Sequence, residues 1–271
     1  MDDKPQVAAF TWQRYSLAER LVRFFVYLLL VALFAFCMNV ISQNTEWFFV
    51  TDAPRVAADI GARMLPPRWE YMESLWRPLW DTINIATLGT LLSLLIATPI
   101  AFLAARNTTP SVMLVRPVAL FIIVSSRSIN SLIWGLLLVT ILGPGVLAGI
   151  IAIMLRSIGF VAKLLYEAIE EIDTDQIEAV TATGASSAAV MTYGIWPQIA
   201  PTFAGTTVFR WDINIRESTV LGLVGAGGIG LELQASINIV AWQQVSVILL
   251  CILATVVLSE WVSARVRHAI I

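Results

Sequence analysis

Six stretches of this chain are apolar over about the length a membrane-crossing helix requires, and that constrains the fold more than any other feature. A helical crossing takes roughly 20 mostly apolar residues. Residues 21–41, 81–104, 112–141, 146–165, 199–224 and 245–262 all meet that length. Charged residues make up only 13% of the 271 residues, about half the usual share in a soluble domain. Too few charges remain to build a water-facing surface, so most of the surface must face lipid or apolar partners. The expected class is an all-α integral membrane protein with about six transmembrane helices. A net charge of −2 excludes a strongly basic nucleic-acid binder. Cys37 and Cys251 both lie inside apolar runs without CxxC spacing, and read as buried thiols rather than a disulfide framework or metal site.

Arginine and lysine placement gives the expected orientation. Lys4, Arg14, Arg20 and Arg23 precede the first span, Arg106 and Arg116 flank the second link, Lys163 ends the fourth span, and Arg265 and Arg267 follow the sixth. All fall on one side if both termini are cytoplasmic. The expected layout is a cytoplasmic segment 1–20, a first span 21–41, an external loop 42–80, a core 81–265 holding spans two to six and a cytoplasmic loop 166–196, and a tail 266–271. The loop 42–80 is the exception to the charge rule, with four arginines; Pro66-Pro67 breaks it and Trp47, Trp69, Trp76 and Trp80 sit near its ends as interfacial anchors. It serves either as an interfacial loop or as a contact surface for an external protein. No cleavable leader is expected, because over twenty polar or mixed residues precede the first apolar run.

The loop 166–196 is the most informative stretch. Asp175 and Glu178 have capping-box-like spacing, which predicts a short helix from about Gln176. Gly184 would end it, Ser186 or Ser187 would cap a second short helix through Tyr193, and Pro197 and Pro201 would open the next span. The product is a helix–Gly–helix hairpin of small residues, which permits close approach of another backbone. The alternative is an ordinary polar loop.

Charges inside the spans are the second signal. Arg127, Arg156, Arg210, Asp212, Arg216 and Glu217 all lie within apolar stretches. A charge at the helix centre costs at least about 2.5–3.5 kcal/mol unless it faces a bundle interior, a partner or water. Asp212 and Arg216 are four apart and can pair on a helix, and Arg210, Asn214 and Glu217 share a neighbouring face. Four arginines against two acids leave an excess of guanidinium, whose donor fork matches the oxygens of a tetrahedral oxyanion. The same residues would also serve as structural salt bridges between spans. Ser125, Ser126, Ser128 and Asn130 read as helix-break and interhelical hydrogen-bonding residues.

Gly225, Gly227, Gly228 and Gly230 form the third signal. Three of them fit GxGxxG spacing, but the run leaves a membrane span and position 250 is Leu rather than an acid, so no dinucleotide site is expected. The glycines instead let the chain turn sharply near an outer gate.

Glu178-Ala179-Val180, three residues, Gly184, nine residues and Gly194-Ile195-Trp196-Pro197 resembles the EAA loop of ABC importer permeases; Val180, Gly194 and Trp196 depart from that pattern. The stretch from Arg210 to Gly230, with the runs 127–134 and 163–170, is similar to phosphonate-type ABC importer permeases, and the likeness extends from about residue 80 to the C-terminus. This implies a type I importer-like permease subunit for phosphonate or a related phosphorus oxyanion such as phosphite or a phosphate ester. It further implies a bacterial inner membrane location, a second copy of the chain, two cytoplasmic ATP-binding subunits and a periplasmic or lipoprotein phosphonate-binding protein. Glu178, Ala179, Gly184, Ser186 and Pro197 would couple to the ATPase. Arg127, Arg210, Asp212, Asn214, Arg216 and Glu217 would line the substrate path. No cofactor is expected in this chain: there is no GxxxxGK[ST] loop, the only lysines are Lys4 and Lys163, and the one histidine, His268, is terminal. ATP and Mg would sit on the partner. The rival readings are an ion-coupled secondary transporter of a small anion and a membrane enzyme acting on phospholipid head groups.

Overall fold

The computed structural model describes residues 15–270; Lys4 and Arg14, used above for orientation, lie outside them. The described residues divide into two compact units, one ending at Asp59 and the other beginning at Ile60. Helices dominate both, and no strand occurs among the described residues.

The first unit is built on α1 (Leu17–Asn44), whose 28 residues reach about 42 Å at 1.5 Å per residue. Ser16 and Glu19 close a reciprocal capping box: the Glu19 amide donates to Ser16 Oγ and the Ser16 amide to Glu19 Oε2. No residue of α1 is buried, and its mean hydropathy of 2.6 suits a lipid-facing span. The connector expected at 42–80 is largely helical instead. After two residues, α2 (Trp47–Met64) begins, and it carries Pro54 internally. Residues 55–64 include Ala57, Ala58, Ala62, Arg63 and Met64, good helix formers that outweigh the isolated proline. The Pro66-Pro67 pair does end that helix.

In the second unit, a single tight turn at Trp69–Tyr71 leads into α3 (Met72–Ala104), which starts well before the predicted residue 81. The third expected span is two helices. α4 (Val115–Ser128) and α5 (Ser131–Leu142) meet at a bend of 86°. Their 14 and 12 residues reach only about 21 and 18 Å, so neither crosses a ~30 Å hydrocarbon layer alone. Asn130 makes the break. Its side chain accepts from the Leu132 amide and starts α5 afresh. α6 (Val146–Glu170) is the central helix and packs against α3, α4, α5 and the later α9 (Trp196–Gly222).

Small side chains make that packing close. Ala97, Ala101 and Ala104 of α3 meet Val161, Ala162, Leu165 and Ile169 of α6, with Ala119 and Ile123 of α4 completing the cluster. A Cβ on Gly89 would come 2.7 Å from Ile153 Cγ2, so α3 and α6 touch there only because Gly89 has none. At the end of α6, Glu170 Oε1 accepts from the Arg106 amide (2.9 Å) and pairs with Arg116 (3.2 Å), fixing the link between α3 and α4.

The remaining elements are α7 (Thr174–Ala182), the one-turn α8 (Ser187–Ala189), α10 (Ile229–Asn238) and α11 (Trp242–Ile270). Among the described residues, four helices are long and apolar enough to cross a membrane, and the bent α4–α5 pair, taken as one span, adds a fifth. The fifth expected span, 199–224, is α9, which has 27 residues but carries Arg210, Asp212, Arg216 and Glu217 along its length.

Candidate functional site

Two features stand out: a polar hairpin beyond α6 and a charge network in the middle of α9.

The hairpin begins at Asp173 rather than Asp175. Asp173 caps α7, its Oδ1 accepting from the Asp175 amide at 3.0 Å. The predicted cap falls two residues late because Asp175 is already inside the first turn, where an acid favours the positive helix end. Glu178 and Ala179 lie on α7. Gly184 takes φ +76°, a left-handed conformation that stops α7 and that residues with a Cβ adopt at a cost. Ser186 then caps α8, accepting from the Ala189 amide.

The second helix does not stop at Tyr193. It continues through a wide π turn at Val190–Ile195 directly into α9. Pro197 explains the widening: it lacks an N–H, and its ring crowds the carbonyl four residues back, so the local repeat loosens. Gln198 takes up the slack. Its Nε2 donates to the Gly194 carbonyl at 2.8 Å, and its Oε1 accepts from the Asp173 amide at 2.9 Å. The hairpin is therefore tied to the foot of α9 by one amide side chain, which no local motif in the sequence marks.

The second feature is built on α9. Its residues Arg210 and Glu217 lie two turns apart on one face and pair at 3.3 Å, while Asp212 and Arg216 pair at 2.6 Å. Arg210 is 2% exposed; its Nε donates to Ser157 Oγ at 2.9 Å and its guanidinium stacks 5.1 Å from the Phe160 ring centre. Asn214 donates to Thr90 Oγ1 (2.7 Å) and Ser157 Oγ (3.2 Å), joining α9 to α3 and α6. Asp212 Oδ1 accepts from Ser259 Oγ of α11 at 2.7 Å. Buried charge of this kind is tolerated because each group has a counter-charge or hydrogen bond.

Arg156, absent from the predicted substrate path, joins this charge network from α6. Its Nη1 lies 3.1 Å from Glu217 Oε1 and donates to Ser131 Oγ at 3.3 Å. Glu217 thus holds Arg156 on one oxygen and Arg210 on the other. A cleft of about 290 Å³ opens beside them, lined by Asn130, Ser131, Arg156, Arg216 and Glu217 with apolar neighbours. Arg127 is exposed, and the stem of its side chain lies against Gly159 of α6 rather than on this cleft. Sequence spacing shows pairs within α9 but not the approach of α6, so Arg156 was not legible as a partner.

Ser126 of α4 bridges two backbone groups of α6, donating to the Leu155 carbonyl and accepting from the Gly159 amide at 2.9 Å. Beyond α9, Gly225, Gly227 and Gly228 all have positive φ, and the turn they form is held by a Gly145 amide to Gly225 carbonyl bond of 3.0 Å. Gly230 differs from the predicted turn role. It lies inside α10 against Gly222 and the Thr219 carbonyl, where any Cβ would collide with backbone. His, Cys, Asp and Glu form no cluster able to hold a metal among the described residues.

A family model described as the binding-protein-dependent transport system inner membrane component matches residues 97–270. The phosphite transport system permease protein PtxC of Stutzerimonas stutzeri is 41% identical over 210 residues, 78% of this chain and 76% of that one. The phosphate-import permease protein PhnE of Mycolicibacterium smegmatis is 37% identical over 209 residues, covering 77% of this chain and 39% of that one. Among solved structures, a chain of the MetNI methionine ABC transporter in an inward-facing conformation superposes with a TM-score of 0.64 at 21% identity, over 74% of this chain and 98% of that one. A chain of a bacterial ABC transporter importing the acidic polysaccharide alginate gives 0.60 at 17% identity, over 89% and 95%. At such identities the structures establish the fold alone.

Proposed function

The chain belongs to the binding-protein-dependent transport system inner membrane components, and on that footing we propose that it conducts a phosphorus oxyanion (phosphonate, phosphite or a phosphate ester). It is an ABC importer permease subunit rather than an enzyme, and its family works with an ATPase and a binding protein. That membership sets aside both the secondary transporter and the phospholipid enzyme.

One observation supports the substrate class. Three guanidinium groups, Arg156, Arg210 and Arg216, meet only two carboxylates, Asp212 and Glu217, within α6 and the second half of α9. An arginine inside a spanning helix whose side chain is 45% exposed, as Arg216 is, is costly against hydrocarbon. It faces a water-filled path or another subunit. The relatives named for phosphite and phosphate import agree with a site that favours tetrahedral anions.

The hairpin is the proposed coupling element. Glu178, Ala179 and Gly184 present an exposed short helix and turn, Ser186 and Pro197 set the geometry of the returning helix, and a groove on the ATPase grips them. ATP and Mg reside on that partner, and this chain carries no cofactor. A second copy of the chain completes the path, and both termini face the cytoplasm. Arg127, Arg210, Arg216 and Asn214 steer or organise the passing anion, while Asp212 and Glu217 neutralise the arginines between passages.

The test measures ATP hydrolysis by the assembled transporter in nanodiscs. Binding protein loaded with phosphite or methylphosphonate should stimulate hydrolysis, and binding protein offered sulfate or methionine should not. Equal stimulation by methionine, or none by any phosphorus oxyanion, overturns the substrate class.

A further inference from the structure

Glu217 is doubly held yet sits at the edge of an open cleft. Its Oε2 takes Arg210, which is enclosed at 2% exposure, and its Oε1 takes Arg156, whose side chain remains 32% exposed. A carboxylate oxygen on a guanidinium has the geometry that a phosphonate or phosphite oxygen would adopt on the same group. Glu217 Oε1 thus stands where one oxygen of a passing anion would bind.

The surroundings suit such an anion. Arg216 lines the same cleft and is anchored through Nη2 to Asp212, and Arg156 is anchored through Nη1 to Ser131 and Glu217. A guanidinium has five N–H donors, so those anchors leave both forks with donors to offer. The 86° bend brings the start of α5 to the cleft, with Asn130, Ser131 and Leu132 in its lining. The N-terminus of that 12-residue helix adds a positive end to the two arginines. At about 290 Å³ the cleft falls at the lower edge of small-molecule pockets, room for a small hydrated anion.

Resting on the phosphorus-oxyanion reading, we propose that this cleft is a transient anion station and that Glu217 is its resident, displaceable ligand. The anion takes Arg156 from Glu217 and bridges it to Arg216. Glu217 keeps its bond to Arg210, which acts as a positioning residue behind it. When the anion leaves, Glu217 returns to Arg156. Because the anion must displace a tethered competitor, the station stays weak enough to release its cargo, as a conduction path requires. This assigns Arg156 a ligand role and makes Glu217 the residue that sets residence time.

The test uses the permease–ATPase complex in nanodiscs without binding protein, with phosphite and methylphosphonate binding followed by 31P NMR line broadening, beside uptake assays on the full transporter in proteoliposomes. Glu217→Gln keeps the shape and removes the competing charge. It should bind either anion about tenfold more tightly and take it up about tenfold more slowly, the size of one charge-assisted hydrogen bond. Arg156→Gln should lose the broadening. Equal binding by wild type and Glu217→Gln overturns the proposal, as does binding that survives Arg156→Gln. Should Glu217→Gln fail to assemble, Glu217→Asp serves, since it keeps the charge with a shorter reach and should shift both quantities in the same directions; failure of both variants to assemble makes Glu217 a fixed structural counter-ion and equally overturns the proposal. A wild-type transporter that takes up no phosphorus oxyanion at all would instead refute the substrate class.

Discussion

α1 and α9 are nearly equal in length, 28 and 27 residues, and satisfy opposite demands. α1 buries none of its residues and is apolar along most of its length. α9 buries Arg210, Asp212, Asn214, Ser218 and Thr219 and depends on specific partners from α3, α6 and α11. An apolar helix is stable in the bilayer by composition, whereas a polar one is stable only as part of a particular arrangement. Function belongs with the second kind, because a charge held by a few named bonds can be released by changing one of them.

The contrast can be broken in several places, with effects that should fall in order. Arg210→Ala should be the most damaging, because it takes from Glu217 Oε2 and Ser157 Oγ their most deeply enclosed partner; removing one partner of a buried pair costs about 3–5 kcal/mol. Loss of monodisperse protein on fluorescence-detected size-exclusion chromatography, or a large drop in Tm, would register it. Asn214→Leu should follow at about 1–3 kcal/mol, since it leaves Thr90 and Ser157 short of a partner. Thermal unfolding compares the two directly.

Gly184→Ala forces a Cβ into a left-handed turn, for about 1–2 kcal/mol. The proposed coupling role adds a functional signature: uptake should fall more than the basal ATP hydrolysis of the partner does. Leu29→Ala on α1 should change Tm by less than any of these, because Leu29 is exposed along a helix with no buried residue. A Leu29→Ala loss equal to that of Arg210→Ala would erase the distinction between the two helices.

The sequence showed the parts of the molecule whose cause is local. Apolar length located the spans, four-residue spacing marked the Asp212–Arg216 pair, and Gly184 and Ser186 marked the end of one short helix and the start of the next. Asn130 was visible as a polar residue in an apolar run, but the 86° it introduces depends on how α5 packs against α6 and α9. α2 was hidden because the segment 42–80 read only as a loop broken by Pro66-Pro67, and α10 because the glycines at and before its start read only as turn. The partners of Arg156 and the role of Gln198 were hidden for a different reason. Each residue makes its defining bonds to residues 25 or more positions away, to Ser131 and Glu217 in one case and to Asp173 in the other. Nothing in the neighbouring sequence records such a meeting.

Motive force tests the whole scheme most directly. Proteoliposomes holding this chain, its ATPase and its binding protein should accumulate phosphite against a gradient only with ATP on the ATPase side, and Glu178→Ala should abolish accumulation while the complex still hydrolyses ATP. Accumulation by the permease alone, sustained by a proton or sodium gradient and indifferent to Glu178, would contradict it.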